Sequence, residues 1–497
     1  MTPASLCRFA AALTLPLVLT AGCQRPIPTP DLGDRYNRTA QYHGPDRNPV
    51  IVIPGILGSK LTHPPTGTRV WGAFEPAAAN PATPEGARLI ALPMAAGKSL
   101  AELTDDVVSD GALDTVRLSV FGLPIELQAY ARILGTLGVG GYLDDQLAES
   151  GAVDYGTDHY SCFQFDYDWR RDNVENAKKL YAFIKEHRAE VQENLAEDYG
   201  GLPGDYDVKF DIVAHSMGGL ITRYMLRYGN APPEIALEEG VTWKGAEHVD
   251  RVVLIGTPNA GSVKALTQLI DGAKISPLHP GYSAAVLGTM PSIYQLLPRD
   301  RHRRVHWSRP KPAPGLVFDL AGPPHIFEPS STWDRLGWGL ASPKQDGELA
   351  KLLPDVADAE DRRRIARDHL GKCLRRAEEF HQSLDRPARR PEDLQIILYA
   401  GDGVPTPDVA SVDFSGRVER LTRAPGDGTV TRDSALMDER IGGASGGWTP
   451  HLVSPIDWAD VNFLFQDHIG LTADPVFADN VLYLLLESPR REDPAGS

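Results

Sequence analysis

Basic residues are in short supply in this chain. Lys and Arg total 50 against 66 Asp and Glu, a formal net charge of −16 over 497 residues. Nucleic acids are held by clustered cationic surface, so this balance argues against a nucleic-acid partner. Cysteine is scarce too: Cys7, Cys23, Cys162 and Cys373 are the whole set. Neither their number nor their spacing is that of a metal-ligand group, and no metal or cofactor is expected. Beyond the N-terminus no apolar run approaches the roughly 20 residues that cross a bilayer. Ala96-Gly97-Lys98-Ser99 looks like the end of a phosphate-binding loop, but Leu92 stands where its earlier glycine is required, so that reading is rejected. What is present is an apolar fraction of 42 %, enough for a substantial globular core.

The first 22 residues carry one charge, Arg8, followed by an apolar stretch over 9–19 that is too short to span a membrane. This is the pattern of a secretory signal. Leu19-Thr20-Ala21-Gly22-Cys23 resembles the lipobox of bacterial lipoproteins, which predicts that Cys23 becomes the acylated first residue of the mature chain. Gln24 after it points to the outer membrane, facing the periplasm, with a secreted or periplasmic protein as the alternative. Residues 23–47 then read as a tether, 48–490 as the folded domain and 491–497 as a tail. Cys162 and Cys373 lie in a compartment that permits a disulfide, and free burial is equally compatible with them.

The centre of the chain is VKFDIVAHSMGG, residues 208–219. Val208, Phe210, Ile212 and Val213 form the apolar, β-branched run of a buried strand, and the residues after Gly219 continue with helical periodicity. Strand, sharp small-residue turn and helix are the context of a nucleophile elbow. Ala214 and Gly218, two before and two after Ser216, are small enough for the turn. Ser216 is the candidate nucleophile, at a helix N-terminus that favours developing negative charge.

The other segments build a sheet around it. Residues 48–59 form a buried strand ending in Pro54-Gly55. An oxyanion hole in this architecture takes one N–H from such an early loop and one from the residue after the nucleophile, which designates the backbones of Ile56 and Met217. Residues 61–128, rich in Pro, Gly and Ala, read as an irregular insertion and not as sheet. A helix is expected at 127–146, a strand at 162–169, a helix at 171–195 and a strand at 250–255. The order predicts a parallel, doubly wound α/β sheet. From 263 to 391 the strand signals stop; a helical stretch at 347–384 suits a cap. Strands resume at 394–400 and 461–465, the latter leading to a closing helix at 475–487.

A serine hydroxyl needs a histidine to take its proton and a carboxylate to fix that imidazole. In this architecture the acid and then the histidine follow the serine. His468 directly follows the last predicted strand, whereas His451 precedes it behind Pro450; His468 is preferred. For the acid, Asp402 and Asp427 both sit in glycine-flanked loops, and spacing leaves them nearly even.

Seven segments fall in the order seen in one family: VIVIPGILGSKL at 50–61, DYDWRR at 166–171, AHSMGG at 214–219, MPSIYQLLP at 290–298, GVPTP at 403–407, GDGTV at 426–430 and His468. Together they resemble the lecithin:cholesterol acyltransferase family, which includes lysosomal phospholipase A2-like enzymes. The resemblance implies an α/β-hydrolase with cap and membrane-binding insertions, acting on lipid esters at a membrane surface and passing the acyl group to water or an alcohol. It places the acid in the motif matching GDGTV, hence Asp427, and the oxyanion donors at Ile56 and Met217. Ile56 departs from the acidic residue of the animal members, and no cysteines match those members' insertion disulfides. Two other readings are a general carboxylesterase or triacylglycerol lipase, and a non-catalytic lipid-binding lipoprotein.

Overall fold

The computed structural model describes residues 30–72, 78–112, 125–157, 159–274, 280–308, 324–440 and 449–489. The signal segment, Cys23 and the tail lie outside the described residues. The described strands are β1 (Val50–Ile53), β2 (Ser59–His63), β3 (Thr68–Trp71), β4 (Val108–Ala112), β5 (Cys162–Gln164), β6 (Phe210–His215), β7 (Val249–Ile255), β8 (Val305–Trp307), β9 (Gln395–Gly401), β10 (Val404–Val412), β11 (Val418–Gly426) and β12 (Asp460–Leu464).

Six of them form the central sheet in the order β12-β9-β7-β6-β1-β5. Every pairing in it is parallel. Parallel sheets are covered on both faces, so their strands read as continuous apolar runs; Val50 to Ile53 and Phe210 to His215 are buried throughout. The period of two sorts them. Ile51, Ile53, Ile212, Ala214, Val252 and Leu254 face one apolar core. Val50, Val52, Val213, Val253, Ile397 and Tyr399 face the other. The helix Met217–Tyr228, buried along its whole length, packs on the first face beside Asn173–Tyr199. Pro475–Leu486 and the helix Ile125–Val139 supply Phe477, Val481, Tyr130 and Ile133 to the second. This is the doubly wound α/β arrangement expected from the sequence. Among the described residues no helix is long and apolar enough to cross a membrane.

Four expectations need correction. The tether read over 23–47 is packed on the domain in its second half, where Leu32–Arg35 and Asn37–Ala40 are short helices and the buried Tyr36 donates to Asp479 Oδ1 at 2.8 Å. The insertion after β1 is not irregular throughout: β3-β2-β4 form a small antiparallel sheet. Its strands are too short to register against the Pro-rich stretch between β3 and β4, yet Leu61, Val70 and Trp71 are buried beneath it. The predicted cap is mostly helical, with the 27-residue helix Ala359–Asp385, but it also contains β8, which pairs in parallel with β10. The alternating stretch at 162–169 keeps strand pairing only through Gln164. β5 is the sheet edge, and beyond it Phe165 N–H still donates to Val52 O before Tyr167 and Trp169 turn into the core. Cys162 and Cys373 are both buried and free, so they form no disulfide with each other.

Candidate active site

β6 ends at His215, and the next residue leaves the strand sharply. Ser216 has φ 53° and ψ −123°, left-handed backbone that a side chain adopts only when its surroundings hold it there. Its N–H donates to Ile255 O at 2.7 Å, which anchors the turn to β7. The chain crosses the β1 loop too closely for side chains. A Cβ on Gly218 would lie 2.5 Å from Pro54 O, and one on Gly55 would lie 2.8 Å from Ser216 Cβ. The small residues of the elbow therefore answer a close approach between two loops at the C-terminal edge of the sheet.

His468 follows β12 and meets Ser216 there, Nε2 to Oγ at 3.0 Å. Its Nδ1 lies 2.7 Å from Asp427 Oδ2. The other oxygen of Asp427 accepts backbone N–H bonds from Thr429 at 2.8 Å and Val430 at 2.6 Å. Burial pushes the Asp427 carboxyl up, but the imidazole of His468 and the two amides overcome it and hold the pKa below the usual carboxylate range. An ionised Asp427 fixes the proton of His468 on Nδ1 and leaves Nε2 free to accept from the serine. All three side chains are buried.

The two other candidates lie elsewhere. Asp402 pairs with Arg432 at 2.5 Å, and His451 is exposed on a loop. Ile56 lines the cavity in front of Ser216, directly after Pro54-Gly55. Met217 is the first residue of its helix, where a backbone N–H has no intrahelical acceptor. Leu57 next to Ile56 has φ 68°, and its carbonyl accepts from Trp71 Nε1 at 2.7 Å, so the small antiparallel sheet pins this loop.

His215 was legible only as part of the elbow motif. Its Nε2 donates to the carbonyl of His468 at 3.1 Å, and the two rings are 4.9 Å apart. Burial, aided by the neighbouring His468, pushes the His215 pKa down to about 3, so it stands neutral and holds the backbone of the base. A cavity of about 440 Å³ opens on Ser216, with Leu57, Trp169, Leu287, Ile293 and Leu296 in its wall. Lys264 and Lys274 also line it, and the Lys264 ammonium donates to Thr429 Oγ1 at 3.2 Å. Leu57, Trp169, Ile293 and Leu296 come from three of the motifs that carry the family resemblance, whereas Leu287, Lys264 and Lys274 lie outside those motifs.

A parallel doubly wound sheet with a left-handed serine at the tip of its central strand defines an α/β-hydrolase fold. Residues 149–318 match the family model of lecithin:cholesterol acyltransferase, so the resemblance read from the motifs holds over that segment. Asp427 and His468 lie beyond it. Among solved structures, one chain of the Tle4–Tli4 complex is similar in fold, with 17 % identity and a TM-score of 0.52, covering 88 % of this chain and 98 % of that one. The Bacillus licheniformis lipase BlEst2 in propeptide form matches more loosely, at 12 % identity and TM-score 0.31 over 92 % of this chain and 54 % of that one. Phospholipase PlaB from Legionella pneumophila does so at 13 % identity and TM-score 0.29, over 73 % and 58 %. No curated protein matches by sequence.

Proposed function

We propose that this chain is a serine-dependent enzyme acting on lipid esters, through an acyl-enzyme on Ser216. The observation that carries this reading is the hydrogen-bonded line Asp427–His468–Ser216 opening on a mainly apolar cavity. His468 Nε2 takes the proton as Ser216 Oγ attacks the ester carbonyl, and the oxyanion is received by the N–H groups of Ile56 and Met217. The imidazolium, held by Asp427, then protonates the leaving alcohol. Water or a second alcohol, deprotonated by the same nitrogen, attacks the acyl-enzyme and completes hydrolysis or transfer.

The substrate class we favour is a glycerophospholipid. The apolar wall suits an acyl chain, and the ammonium groups of Lys264 and Lys274 suit a phosphate better than an uncharged triacylglycerol. The match of residues 149–318 to the lecithin:cholesterol acyltransferase family model agrees with a lipid ester. Acylation of Cys23 in a bacterial envelope would hold the site beside such lipids.

The test uses the full chain with labelled phosphatidylcholine vesicles and an excess of long-chain alcohol, with products read by mass spectrometry. Wild type should release fatty acid or form a new ester and should react with a fluorophosphonate. Ser216→Ala should lose both, turnover falling by about 10³-fold or more. Turnover that survives in Ser216→Ala would overturn the serine mechanism; fatty acid without new ester would identify a hydrolase.

A further inference from the structure

We propose that Phe465 is a lipid-surface anchor that seats the mouth of the active-site cavity on a bilayer. The inference rests on the lipid-ester reading and concerns how the site meets aggregated substrate.

Phe465 is 79 % exposed, the highest value among the exposed large apolar side chains of the described residues. A single exposed apolar residue is ordinary on a soluble protein. Its place makes this one different. It directly follows β12 and lies three residues before His468, while Asp467 and Ile469 on the same loop line the cavity. Val404, the first residue of β10, lines the cavity too, and the adjacent Gly403 fits so closely that a Cβ there would lie 2.9 Å from Phe465 Cα. Phe465 is thus outside the cavity lining itself but on the loop that supplies part of it, with its side chain exposed to solvent.

Hydrogen bonds hold this loop. Asp402 N–H donates to Leu464 O at 2.9 Å, Gln466 Nε2 to Asp474 Oδ2 at 3.0 Å, and Gly470 N–H to Asp467 Oδ1 at 2.6 Å. The Gln466 bond ties the loop to the start of the helix Pro475–Leu486, where Val476 is a further exposed apolar residue at 56 %. A phenyl carried on a hydrogen-bonded loop gains its transfer free energy without first ordering the backbone that carries it, which suits a lipid interface. The occupant is a bilayer surface because the loop that exposes Phe465 also supplies Asp467 and Ile469 to the cavity that would receive one of its molecules. A net charge of −16 makes a zwitterionic surface the suitable probe.

The experiment compares wild type, Phe465→Ser and Phe465→Trp as full chains on phosphatidylcholine vesicles and on soluble 4-nitrophenyl butyrate. Phe465→Ser should keep soluble-ester turnover within about twofold and lose about tenfold or more on vesicles, as expected for withdrawing one phenyl from lipid. In a Ser216→Ala background, which needs no turnover, the tryptophan of Phe465→Trp should be quenched by brominated phosphatidylcholine beyond the background of the native tryptophans. Equal loss on both substrates, or vesicle turnover unchanged by the serine, would overturn the anchor. So would an unquenched tryptophan, which also decides the matter if Phe465→Ser does not fold. Quenching in a protein that hydrolyses no phospholipid would instead retain the surface and reject the lipid-ester reading.

Discussion

Asp427 and His468 hold each other twice. The carboxylate lies 2.7 Å from Nδ1 of the imidazole, and the backbone N–H of His468 donates to the carbonyl of Asp427 at 2.8 Å. Two loops far apart in sequence are thereby fixed in backbone and side chain together, and His215 grips the His468 carbonyl from below. Orientation of the imidazole then depends on neither loop's own stiffness.

The first prediction separates Asp427 from its rival. Asp427→Asn removes the charge that fixes the tautomer of His468, and ester turnover should fall by about 10³- to 10⁴-fold. Asp402→Asn breaks only a partly exposed pair with Arg432, worth about 0–1 kcal/mol, and should leave turnover within severalfold. His451→Ala should behave like Asp402→Asn, since that residue is exposed. Steady-state rates on a soluble ester decide this. The reverse ranking would show that the loops had been assigned wrongly.

The reason these aspartates look alike in sequence lies in an inserted hairpin. In a sheet of this kind the acid follows the strand next but one to the nucleophile strand, here β9, and Asp402 comes just after it. The antiparallel pair β10–β11 leaves from that point and returns, Val404 opposite Gly426. A Cβ on Gly401 would lie 2.4 Å from Asp427 Cβ, so the hairpin delivers Asp427 back to the end of β9. Spacing could not decide between residues at the two ends of one excursion. Ser216 was legible because its elbow is local, and His468 because it follows its strand directly. The central strands were legible because burial on both faces leaves continuous apolar runs. The β3-β2-β4 sheet and β8 escaped notice because strands of three to five residues lack enough repeats to stand out from a turn-rich insertion.

A second prediction tests the close approach beneath Ser216. In Gly55→Ala the new methyl would lie 2.8 Å from Ser216 Cβ and 3.3 Å from both Ser216 Oγ and His215 Nδ1. The elbow is pinned to β7, so the oxyanion loop must shift away. Turnover should fall at least about tenfold, with an overpacking cost of about 1–3 kcal/mol in stability. Gly135→Ala is the control: it lies on an exposed helix face with nothing within 4 Å, and helix propensity should stabilise it slightly. Rates and urea midpoints measured together would reveal an error if Gly55→Ala kept wild-type turnover.

The last prediction concerns acid. Burial pushes five of the described histidines down, three of them far: His215 and His381 to about 3 and His369 to about 4. Each is harder to protonate folded than unfolded, where its pKa is about 6.5. The stability they contribute is complete above that value and is lost progressively as pH falls toward 4 and then 3. Asp145 and Asp300 act in the opposite direction. Burial raises them to about 7 and about 6, so the fold binds protons that the unfolded chain releases, and stability rises as pH falls from there to about 4. These effects offset one another across the mildly acidic range. Below it they no longer do. Burial pushes Asp385 and Glu439 up, but Arg299 and Arg301 overcome it at Asp385, and Arg301 and His302 do so at Glu439, bringing each to about 2. Depressed carboxylates contribute stability above their unfolded pKa of about 4 and lose it on the way down to the folded value, in step with the histidines. The urea midpoint should therefore change little between about pH 7 and 5 and fall steeply between about pH 4 and 3. His381→Gln should flatten the histidine part of that fall. A midpoint that stayed level to about pH 3, or rose, would show that these groups are not held in the protonation states their surroundings impose.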